Sequence, residues 1–178
     1  MSILFLQGKK TKFTRMCIAE AIIALLESTD LAHLKISAIV HKAGVSRMTF
    51  YKYYFSPREA LEDYLRIIVD EFLDTAGYSN RILPCTGYGH VLFALNFFDR
   101  YSSFFLTMEK QGLYQILLDT VNGIITEHTK PSDALTRFKG YAYAAGLLNC
   151  YLLWEQSGKS DSAETVARCV CKTYGINE

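Results

Sequence analysis

Apolar residues recur along the chain at three- and four-residue spacing, and no segment alternates apolar and polar residues cleanly as a strand would, so the pattern predicts an all-α fold. The first helix is expected from Thr11, as N-cap, to about Ser28, with Ile18, Ile22, Leu25 and Leu26 on one apolar face. Leu31 and Leu34 lead into a short second helix from about Ile36 to Lys42. It buries Ile39 and Val40 and stops at Ala43-Gly44, where glycine takes the left-handed conformation that ends a helix. A third helix starts at Ser46, whose hydroxyl caps exposed N–H groups, and runs to Tyr54. The fourth start is the best marked: Ser56 caps, Pro57 takes the first helical position and Glu59 completes a capping box, for a helix reaching about Thr75. Residues 77–89, with Asn80, Pro84 and glycines, read as a linker. Beyond it helices are expected at about 89–100, 102–110, 112–128, 133–157 and 162–174, broken at Ser102, Gly112, Lys130-Pro131-Ser132 and Gly158-Lys159. Long helices with short connections form a bundle, about nine helices in total.

Composition narrows the class. With 178 residues, half of them hydrophobic, the chain can bury a real core, and three prolines and eleven glycines are too few for a disordered polypeptide. No run of about 18 apolar residues exists to span a bilayer, so no membrane partner is expected. The run Ile3-Leu4-Phe5-Leu6 is shorter than a signal-peptide core and has no basic residue before it, and residues 1–10 read as a flexible N-terminal arm. Cys17, Cys85, Cys150, Cys169 and Cys171 are odd in number and lack metal-type spacing, which fits a reducing cytoplasm better than a disulfide framework. Cys169 and Cys171, two apart on a helix, face different ways. His33, His41, His90 and His128 show no short metal spacing, and no nucleophile elbow, phosphate-cradling loop or paired carboxylate motif appears. Neither a metal, nor a cofactor, nor an enzyme is expected.

Charge is divided unevenly. Residues 1–60 hold nine Lys/Arg against four acids, a net of +5, and the remainder holds ten against fourteen, a net of −4. A basic head on an acidic body suits a chain whose head meets a polyanion, and equally an uneven solvated surface. The helix, glycine turn and serine-capped helix from about Ile36 to Tyr54 decide between these, because that is the geometry that sets a recognition helix in the major groove. With Phe50 and Tyr54 toward the core as an i, i+4 pair, Met48, Thr49 and Lys52 fall on the outward arc, flanked by Tyr51 and Tyr53. Arg47 lies nearer the buried side by angle but is long enough to reach out. Arginine can bind guanine bidentately, threonine can donate to a base or touch a thymine methyl, and lysine or tyrosine can hold phosphate. Ser46, Lys9, Lys10 and Arg58, near helix starts, complete the expected contact set to double-stranded DNA.

The string Ala43-Gly44-Val45-Ser46-Arg47-Met48-Thr49-Phe50-Tyr51-Lys52-Tyr53-Tyr54, followed by Glu59-Ala60-Leu61, resembles the DNA-binding domain of the TetR family of transcription regulators, over about Lys10 to Leu65. Two positions depart from the family pattern: Lys35 stands where Thr or Ser is common before the second helix, and Phe55 and Pro57 occupy a longer turn where a lysine often precedes the acidic residue. The resemblance implies a helix-turn-helix domain over residues 11–76, including a linking fourth helix, and a regulatory and dimerisation domain over 77–178. It also implies a repressor that binds a near-palindromic operator as a homodimer. The alternative is a TetR-like co-activator or protein-interaction module with little DNA binding of its own.

By the same resemblance, a small-molecule effector of unknown identity would be held by aromatic residues of the C-terminal part. Phe97, Phe98, Tyr101, Phe105, Tyr114 and Tyr143 are the candidates, and packed core is the competing reading. The last two helices mix small with apolar residues, and a helix apolar nearly all round is either central core or covered by a partner. Leu147, Cys150, Tyr151, Trp154, Val166 and Val170 are the candidate dimer contacts.

Overall fold

Local capping chemistry sets several of the helix boundaries: serine or aspartate caps start α3, α4, α8 and α9. The computed structural model describes residues 3–76, 87–127, 130 and 133–176, with the side chains of 3–9 outside that description. Among those residues there is no strand, and the helices are α1 (Ile3–Leu26), α2 (Ile36–Ala43), α3 (Arg47–Tyr53), α4 (Pro57–Thr75), α5 (Tyr88–Asp99), α6 (Ser102–Lys110), α7 (Tyr114–Glu127), α8 (Ala134–Gln156) and α9 (Ala163–Tyr174), with a 3-10 turn at Leu31–His33. From α2 onward every helix begins and ends within two residues of its expected bounds. The exception is α1, which starts at Ile3, so most of the segment read as an arm is helical and Thr11 lies inside the helix instead of capping it. Residues 77–86 of the expected linker, with Cys85, lie outside the described residues, as do His128, Pro131 and Ser132.

The chain divides into two compact units, Met1–Leu65 and Arg66–Glu178, and the division falls inside α4. From the sequence alone, all of α4 is kept with the head. In the head, Ile18, Ile22 and Leu26 of α1, Ile39 of α2, Phe50 of α3 and Leu61 and Leu65 of α4 are essentially inaccessible to solvent. Each such side chain contributes about 1.5–3 kcal/mol by leaving water.

The body is built around rings. Phe72 of α4 stacks on Phe93 and Phe98 of α5, and Phe98 meets Phe105 of α6 and Tyr151 of α8. Tyr151 is buried, and its hydroxyl is satisfied by donating to the Phe98 carbonyl at 3.0 Å. Helix α5 packs on α9, and α6, α7 and α9 all pack on α8. Arg66 closes a bidentate pair with Glu127 at 2.9 and 3.0 Å. Between α8 and α9, Gly158 and Lys159 both take left-handed backbone, and Trp154 Nε1 donates across the turn to the Asp161 carbonyl at 2.8 Å.

Candidate nucleic-acid interface

Helix α3 owes its placement to its two ends and to one buried face. Gly44, at φ 66°, ends α2, and its N–H donates to the carbonyls of His41 and Val40. Ser46 then caps α3: its Oγ accepts from the Thr49 N–H at 3.0 Å and shares a hydrogen bond of 2.9 Å with the Thr49 hydroxyl. Lys35 supplies no side-chain cap to α2, so that helix starts without one. Phe50 and Tyr54 point inward as the i, i+4 pair requires and meet edge to face at 5.9 Å.

The far end of α3 is fastened by a network that spans the head. Tyr54 donates its hydroxyl to Asp63 Oδ2 of α4 at 2.5 Å. Arg15 of α1 grips the same carboxylate with both Nε, at 2.8 Å, and a terminal nitrogen. Burial, and then the hydrogen bond to Asp63, push the Tyr54 phenol well above its ordinary value, and the bond to Asp63 holds Arg15 more firmly charged. Neither Arg15 nor Asp63 was among the residues singled out from the sequence, because partners 48 positions apart leave no local signal. At the start of α4, Ser56 Oγ accepts from the Glu59 N–H at 3.2 Å, while Glu59 reaches back to the Phe55 N–H at 2.9 Å. The capping box is thus made, with its return bond one residue earlier than usual.

With that face buried, α3 presents the opposite one. Met48 is 81% exposed and Tyr51 52% exposed. Arg47 and Lys52 are also exposed, whereas Thr49 and Tyr53 are half-buried and Lys52 lies over the Tyr53 ring at 5.5 Å. Met48, Thr49, Tyr51 and Lys52 together line an open depression on this face. Arg47 therefore reaches solvent despite its unfavourable angle. Lys10 is exposed on α1, and the side chain of Lys9 lies outside the described residues. Arg58 is exposed and pairs along its own helix with Glu62 at 2.8 Å.

The other candidate residues divide differently from expectation. Phe97, Phe98, Tyr101 and Phe105 do come together, but ring against ring, within the core cluster. Tyr114 lies on α7, and Tyr143 packs on Tyr174 of α9, about 12 Å along α8 from Tyr151. Of the candidate dimer contacts, Leu147, Tyr151, Trp154 and Val170 are buried within their own chain, and Cys150 and Val166 are half-buried. The first four pack inside their own chain, where α6 and α9 pack on α8 and α5 packs on α9. The large apolar residues of α8 that do reach solvent are Leu135, Phe138 and Leu153, which were not among the candidate contacts. Among the described residues no His, Cys, Asp or Glu cluster is placed to hold a metal, and no helix is long and apolar enough to cross a membrane.

Solved structures resemble most of the chain in fold. One is Lin0861 from Listeria innocua, with a TM-score of 0.72 at 18% identity over 92% of this chain and 90% of that one. Another is a TetR transcriptional regulator from Streptococcus agalactiae 2603V, with a TM-score of 0.57 at 16% identity over 96% and 98% of the two chains. The fold is that of a TetR regulator. A dihydroxyacetone kinase operon activator, DhaS, shares this TetR-type architecture with a TM-score of 0.57 at 18% identity over 90% and 93%. In sequence, the chain is 33% identical over 88 residues to the HTH-type dhaKLM operon transcriptional activator DhaS of Lactococcus lactis subsp. lactis (strain IL1403), a match covering 47% of this chain. It spans 46% of that relative, about half its length. No family model matches the chain.

Proposed function

We propose that this chain is a TetR-type transcription regulator that binds double-stranded DNA through α3. The observation that carries the reading is the orientation of α3. One face is anchored by Phe50, Tyr54 and the Arg15–Asp63 pair, and the other offers Arg47, Met48, Tyr51 and Lys52 to solvent on a basic head. Lys10 and Arg58 are suited to phosphate, and Ser46 acts by capping, its hydroxyl being committed to Thr49.

The functional unit is a homodimer that offers two copies of α3 to a near-palindromic operator about one DNA turn apart. Support for the dimer comes from Leu135, Phe138, Ala142, Asn149 and Leu153, all exposed and all within an arc of about 60° at 100° per residue. That uncharged stripe takes the place of the buried contacts first considered. Repression by occupying a promoter is the first reading, and activation the second, favoured by the name of the Lactococcus relative. A small-molecule effector acting on the body has to prefer one of two head spacings, since only differential affinity shifts such an equilibrium.

Titration of the full chain against duplex DNA at several salt concentrations tests the core of this. A regulator's affinity falls steeply with salt and favours one sequence. Salt-independent, sequence-blind behaviour would leave the interaction-module alternative in its place.

A further inference from the structure

The reading face of α3 is unusual in what it lacks. Met48, 81% exposed, has no hydrogen-bond donor and only a weak acceptor in its thioether. The Thr49 hydroxyl, beside Met48 on the same face, shares a hydrogen bond with the Ser46 cap. The Tyr51 and Phe50 rings meet edge to face at 5.6 Å, and Tyr51 borders the same open depression together with Lys52. The floor of the reading face is therefore apolar, with cations at Arg47 and Lys52 beside it.

The major groove offers hydrogen-bond donors and acceptors on every base pair and one bulky apolar feature, the C5 methyl of thymine. Pressing an apolar side chain onto a donor or acceptor strips it of water and leaves it unpaired, which costs free energy. Pressing it onto a methyl group releases water from both. We infer that the depression formed by Met48, Thr49, Tyr51 and Lys52 receives the methyl group of a thymine in each half-site, with Met48 as the specificity-determining residue. The net charge of +5 over residues 1–60 supplies the complementarity that brings the polyanion there. This rests on the DNA-binding reading above and adds to it the base that is read.

The test takes the full chain and a pool of random-sequence duplexes, enriches those retained, and resynthesises the best with deoxyuridine in place of one thymine at a time. At one thymine per half-site, removal of the methyl should weaken wild-type binding about fourfold, the worth of one buried carbon. Met48→Ala should bind the thymine and uracil duplexes equally, and Met48→Leu should keep the discrimination. Because Met48 is exposed, each variant should melt with the wild type. A wild-type ratio of one at every thymine, or a ratio that survives in Met48→Ala, overturns the inference while leaving DNA binding intact. Retention of no duplex at all overturns the DNA-binding reading and the inference with it, and points to a protein partner for this face.

Discussion

The head and the body both leave apolar side chains in solvent, but in different company. On α3, Met48 and Tyr51 stand beside Arg47 and Lys52, whereas on α8 the exposed stripe of Leu135, Phe138, Ala142, Asn149 and Leu153 is itself uncharged and has one exposed cation, Lys139, at its edge. An apolar face beside cations suits a polyanion that also carries methyl groups. An uncharged one is satisfied by a second apolar surface, for which another copy of the same helix is the simplest candidate. The difference teaches that exposure alone does not identify a partner; the charge around the exposed groups does.

The sharpest way to break that contrast is to put a charge into the uncharged stripe. Phe138→Asp is expected to weaken self-association about 1000-fold, because each of two symmetric copies would bury an unpaired carboxylate at about 2 kcal/mol. If the stripe is the interface, sedimentation should show monomer at concentrations where the wild type self-associates, with the melting of the monomer fold little changed, since Phe138 is 65% exposed. A Phe138→Asp dimer as tight as wild type would remove the stripe from the interface.

The next effect belongs to the head. Asp63→Ala removes the acceptor shared by Arg15 and Tyr54 and should cost about 2–3 kcal/mol in chemical denaturation, while Asp63→Asn, which keeps an acceptor for Tyr54, should cost less. Equal losses for the two would mean that the carboxylate's charge, not its role as acceptor, holds α3.

These two sites also mark where sequence reasoning ran out. Gly44, Ser46 and the Ser56-Pro57-Glu59 start were legible because capping acts over three or four residues. The bounds of α8 were equally legible, but not its facing. A helix with apolar residues nearly all round has no stripe to read, and only the packing of α6, α7 and α9 decides that Tyr151 and Trp154 go inward and Leu153 outward. The Arg15–Asp63 pair was out of reach for the opposite reason: each residue is an ordinary surface charge until the fold brings α1 and α4 together.

The buried phenol in the head adds a pH signature. Tyr54 holds its proton above the ordinary tyrosine value, so the unfolded chain releases a proton, from about pH 10 upward, that the folded head retains. Stability is then complete below that value and falls as pH rises through it, by about 1 kcal/mol at pH 11. Tyr54→Phe should flatten this alkaline decline relative to wild type. Parallel curves for the two proteins would show that the Tyr54 hydroxyl is not held as described.

The smallest effect separates the two kinds of group that meet on α3. Lys52 lies on the rim of the depression, and as a phosphate contact it carries no sequence information. Lys52→Ala should weaken binding several-fold on every duplex alike and reduce the slope of log affinity against log salt by about one. Met48→Ala should leave that slope untouched and change only the ranking of sequences. If Lys52→Ala altered the ranking as well, the lysine would be reading a base, and the division of labour between apolar floor and basic rim would have to be redrawn.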